Sequence, residues 1–107
     1  MKQEWTVEEL TAQWQLLPAD LTLLANKKGP TRLGFAVLVK FFELEGRFPH
    51  YRDEVPALVV RELARQVGVL PEHYRHYDWY GRTLKYHRGQ IRAYCGFREV
   101  KIGRAHV

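Results

Sequence analysis

Pro30 and Gly46 bracket fifteen residues, "TRLGFAVLVKFFELE", that are apolar over most of a helical circumference: Leu33, Phe35, Val37, Leu38, Phe41, Phe42 and Leu44. Proline suits the first turn of a helix and glycine its end, so the pattern predicts one helix across this stretch. A helix apolar all round cannot lie on a surface. In a chain of 107 residues it has to be the axis around which everything else packs.

The flanking segments are helical in pattern as well. Thr6 is a suitable N-cap, with Glu8 and Glu9 in the first turn, for a helix whose stripe is Leu10, Trp14 and Leu17. "ADLTLLANKKG" follows Pro18 as a short helix ended by Asn26 or Gly29. "RFPHYRDEVP" is a proline-bounded loop. Pro56 restarts a helix with the stripe Leu58, Val59, Leu63 and Val67, closed by Gly68. "ELARQVGV" then has the form of the first helix and turn of a helix-turn-helix, "PEHYRHYDW" supplies a short helix, and Gly81 begins the last one. The expected architecture is all-α: a compact multi-helix domain with a helix-turn-helix-like DNA-binding arrangement.

Composition narrows the function. A hydrophobic content of 46% supports a folded body, and the formal charge of +5 favours an anionic partner, nucleic acid first. Cys95 is the single cysteine, so no intramolecular disulfide can form and a cytoplasmic setting is expected. The amino terminus lacks the pattern of a signal peptide. The most apolar run, Leu33 to Leu44, contains Lys40 and is too short to span a bilayer, so no membrane association is expected.

The charge is unevenly placed. Residues 1–20 hold Glu4, Glu8, Glu9 and Asp20 against Lys2 alone, whereas "GRTLKYHRGQIRAYCGFR" carries Arg82, Lys85, Arg88, Arg92 and Arg98 with no acid between Asp78 and Glu99. On a helix, Leu84, Ile91, Cys95 and Arg98 fall along one side with Tyr94 beside them, and that side is expected to dock on the core. Arg82, Lys85 and Arg92 share another face with Gly89 among them, Arg88 at its boundary and Gln90 beyond. Such a face allows close backbone approach to a duplex, with Arg and Lys on phosphates or guanine edges and Gln90 on adenine. Exposed helices ordinarily mix charge signs; an ordinary solvated basic face is the alternative. A second candidate is "NKKGPTR", where Lys27, Lys28, Thr31 and Arg32 surround a helix N-terminus suited to a phosphate, or form a solvated turn with a helix cap.

Other chemistry is not expected. His73 and His76 lack the further ligands of a zinc site, and Glu43 and Glu45 point away from each other, as solvated residues rather than an acid/base pair. There is no Gly-rich phosphate loop or nucleophile elbow, and Cys95 belongs to the packing face. Trp79, Tyr80 and Tyr86 stand near the basic helix, where aromatic rings can stack on single-stranded bases, although packing is the safer reading for Trp79. No catalytic residue, metal or cofactor is expected.

Several strings resemble a known family. "LLPADLTLLANKKGPTRLGFAVLVKFFELEGRFP", "YRDEVP", "LARQVGV", "YDWYGRTLKYHRGQIR" and "GFRE" occur in order over about residues 7–100 and are similar to the amino-terminal domain of Tn3-family transposases, a region of unknown function. Tyr80 and Gly89 depart from the commoner residues. The resemblance implies a helical module that binds double-stranded DNA at transposon terminal inverted repeats, in a bacterial cytoplasm and at the nucleoid during transposition. It implies as partners the remaining transposase domains and a second transposase subunit. The family's chemistry belongs to a carboxy-terminal RNase H-like domain with three metal-binding acids, which has no counterpart among these residues. Docking of the basic face on an acidic protein surface and binding of RNA are the competing expectations. Residues 1–100 are therefore read as the DNA-binding domain. Residues 101–107, "KIGRAHV", resemble the translation of a sequencing adapter and are expected to be a non-native tail.

Overall fold

The computed structural model describes residues 4–98, with side chains to residue 96; the segment 101–107 lies outside the described residues. Five α-helices follow one another: α1 (Val7–Gln13), α2 (Pro18–Leu23), α3 (Gly29–Glu45), α4 (Ala57–Val67) and α5 (Arg82–Arg98). Two 3-10 helices, Arg52–Glu54 and Pro71–His76, complete the fold, and the described residues form no strand.

The apolar run behaves as its composition demands. Every residue from Leu33 to Phe41 is buried, and α4, α5 and the Pro71–His76 segment all pack on α3. Fully burying a Leu, Val or Phe side chain contributes about 1.5–3 kcal/mol, so α3 is the main source of cohesion. Among the described residues, no helix is long and apolar enough to cross a membrane.

Helix ends follow local chemistry. Thr6 and Glu9 form a reciprocal capping box, Thr6 N–H donating to Glu9 Oε1 at 3.0 Å and Glu9 N–H to Thr6 Oγ1 at 3.1 Å. α3 and α4 end in left-handed residues, Gly46 and Gly68, each at φ 77°, where a Cβ is disfavoured.

Three expectations need correction. α1 stops at Gln13, so Leu17 is out of its phase and exposed, while Leu16 is buried and its N–H donates to Gln66 Oε1 at 2.8 Å. On α4 Leu58 is exposed and Val60 takes its place in the core. Glu43 is buried rather than solvated: its Oε1 lies 3.1 Å from Lys40 Nζ, and its carboxyl hydrogen-bonds that of the fully buried Asp20. Burial, and then the Asp20 carboxyl, raise the Glu43 pKa to about 7.

After Gly68 the chain does not enter a second α-helix. Pro71–His76 is a 3-10 segment whose Tyr74 is buried and whose Tyr74 hydroxyl donates to Arg52 O at 2.7 Å. The segment packs beside α3 and inserts Tyr74 into the core. The long helix with an exposed side is α5.

Candidate nucleic-acid interface

α5 docks through Leu84, Ile91 and Cys95, which are buried as its periodicity predicts, with Tyr94 half-buried beside them and His87 joining them; the Arg98 side chain lies outside the described residues. The His87 ring stacks on Tyr77, with Nδ1 2.6 Å from the Tyr77 hydroxyl. Burial, and then Lys27, lower the His87 pKa to about 4, while burial raises that of Tyr77. Both directions favour the uncharged forms, so the hydrogen bond joins a neutral imidazole to a neutral phenol.

The two flanks of α5 differ. On one, the Tyr94 hydroxyl donates to Asp20 Oδ1 at 2.6 Å, and Gln90 and Tyr94 border a groove of about 550 Å³ against Ala19, Thr22, Leu23 and Asn26. Gln90 thus faces α2 rather than the arginines, with its Oε1 buried and unpartnered. On the other flank, the guanidinium groups of Arg88 and Arg92 lie 5.4 and 5.2 Å from the Phe48 ring centroid. Phe48 holds these two cations in place.

Between the flanks the helix is open. Arg82, Lys85, Gly89, Arg92 and Ala93 are exposed, and a Cβ added at Gly89 would meet nothing within 4 Å. The described ion pairs, Lys40–Glu43, Arg47–Glu54 and Arg65–Glu62, involve none of the α5 cations. α5 therefore presents unneutralised positive charge around a bare stretch of backbone.

The Lys27–Arg32 turn is more divided. Lys28 is exposed, but Lys27 Nζ lies 4.5 Å from the Phe35 ring centroid, and burial lowers its pKa. Thr31 is half-buried. Arg32 Nε donates to Val67 O at 2.8 Å, and Nη1 to Leu24 O at 3.0 Å and Lys27 O at 3.3 Å. Its guanidinium fastens the end of α4 to the end of α2 and leaves less for a phosphate. The structure brings Arg82, Lys85, Arg88 and Arg92 together, and places Lys28 apart from them as the exposed cation of the second cluster.

Sequence reading missed the loop beside α5. Arg47 forms a forked ion pair with Glu54 and sits 5.2 Å from the Phe41 ring centroid, while Phe48 is the platform for Arg88 and Arg92. The arginine beside an aromatic in "GRFPH" was the available signal, but its connection to α5 is a tertiary one. Among the described residues no three His, Cys, Asp or Glu side chains are grouped to hold a metal.

Comparison with curated proteins and with solved structures gives no significant match. A family model described as "Domain of unknown function (DUF4158)" matches residues 1–106. Nearly the whole chain is covered, and the protein belongs to this family.

Proposed function

We propose that this domain is the DNA-binding module of a Tn3-type transposase, recognising transposon terminal inverted repeats without catalysing a reaction itself. The observation that carries the reading is the exposed face of α5: Arg82, Lys85 and Arg92 stand around Gly89 with no acid on the helix to offset them. Like charge gathered on one face disfavours the free domain, and a phosphate backbone relieves it. Arg88 and Arg92, held against Phe48, are preorganised for phosphate contact, and the bare backbone at Gly89 allows close approach. The sequence strings similar to Tn3-family transposases supply the choice of terminal repeats.

The test is binding of the chain to a Tn3-type inverted-repeat duplex and to a scrambled duplex across a salt series. Tighter binding to the repeat is expected. Replacing Arg82, Lys85 and Arg92 together by Ala should lower the slope of log K against log salt by about one unit per lost phosphate contact. An unchanged slope rejects this face. Absence of binding to either duplex by a folded chain rejects the function in favour of docking on an acidic protein.

A further inference from the structure

At the N-terminal end of α5, the surface carries a notch of about 240 Å³ lined by His50, Trp79, Tyr80, Gly81, Leu84, Lys85 and Arg88. We propose that this notch seats a single unstacked base of a DNA strand, with the Tyr80 ring as its platform, so that the domain prefers duplex ends bearing unpaired nucleotides. The inference rests on the DNA-binding reading above and adds a mode of contact to it.

Three observations converge on a base. Tyr80 is 85% exposed, although an aromatic ring of that size gains nothing by standing in water. The notch is smaller than the roughly 300–1,000 Å³ of small-molecule sites, so it suits one planar ring rather than a cofactor. The turn that carries Tyr80 is fixed: Tyr80 N–H donates to Asp78 Oδ1 at 3.2 Å, and the Asp78 carboxylate occupies the space where a side chain at Gly81 would lie.

The charges arrange the strand around that base. Asp78 beside Gly81 disfavours a phosphate at the turn itself, while Lys85 lines the notch and Arg82 and Arg92 continue along α5. The base therefore enters the notch and its flanking phosphates lie along the helix. Stacking on an aromatic ring is tolerant of base identity, so the preference is for an unpaired nucleotide rather than for a particular one.

The experiment compares two duplexes of equal length at one salt concentration, one blunt and one with a short single-stranded overhang carrying 2-aminopurine, each with the full chain, Tyr80→Ala and Tyr80→Phe. The parent chain should bind the overhang duplex about tenfold more tightly, the size of one base–aromatic stack, and should quench the 2-aminopurine. Tyr80→Phe should retain the preference and the quenching. Tyr80→Ala should lose both while keeping its affinity for the blunt duplex. Equal affinity of the parent chain for both duplexes overturns the base-seating notch and leaves the DNA-binding reading standing, as does an equal loss on both duplexes in Tyr80→Ala. Failure to bind either duplex overturns the underlying function.

Discussion

Gly34 lies in the middle of α3, and the place where its side chain would be is filled by the Tyr77 ring. An alanine there would gain helix propensity of about 1 kcal/mol and force a buried ring aside. Displacing Tyr77 also breaks its hydrogen bond to His87 and so loosens α5. Gly34→Ala is expected to lower stability by about 2 kcal/mol or more, measured as the fall in denaturant midpoint at constant m-value. Arg32 is a second residue whose role is set by what it touches. Its contacts with the carbonyls of Leu24, Lys27 and Val67 are hydrogen bonds from a charged donor, each worth about 1.5–3 kcal/mol. Arg32→Ala should cost about 2–4 kcal/mol in the same measurement, and a loss below about 0.5 kcal/mol would show that these carbonyls find other partners.

At the scale of the element, α3 and α5 make a useful contrast. The limits of α3 are legible in its residues, because Pro30, the apolar circumference and Gly46 each have a local cause. Lys40 interrupts that run and would argue against burial by itself. It is buried because Glu43, one turn on, pairs with it, and Asp20 of α2 shares the site. The docking side of α5 was legible from periodicity through Leu84, Ile91 and Cys95. Its flanks were not, since Phe48 and Asp20 reach it across 40 or more positions of sequence. Gln90 shows the limit most clearly: the helical pattern placed it beyond the basic face, and only the packing of α2 shows what it faces.

For the whole molecule, these buried groups govern how stability responds to pH. Glu43 has its folded pKa raised to about 7 from an ordinary 4.5, so between those values the folded state binds more protons and stability falls as pH rises. His87, lowered to about 4 from 6.5, acts the other way over an overlapping range: the unfolded state binds more protons, and stability rises with pH from about 4 to 6.5. Glu54, lowered to about 2 chiefly by Arg47, adds a contribution present above pH 4.5 and lost as pH falls toward 2. Glu43→Gln removes the first effect alone. As pH rises from 5 to 7.5, the denaturant midpoint of Glu43→Gln should therefore improve steadily relative to that of the parent chain. A constant difference would mean that Glu43 is charged throughout this range.

By itself, the sequence determined that the chain is helical, which helix lies at the centre, where most helices start and stop, and which helix carries unbalanced positive charge. Each of these depends on residues within a few positions of one another, through helical period, capping and proline or glycine geometry. Tertiary structure decided the rest. The short helix at Pro71–His76 took the 3-10 form with Tyr74 in the core, Arg32 became a brace between helix ends, and His50, Trp79, Tyr80 and Arg88 came to line one notch. Those outcomes depend on which surfaces the central helix brings together, and burial assigns partners by proximity in space, which local patterns do not encode.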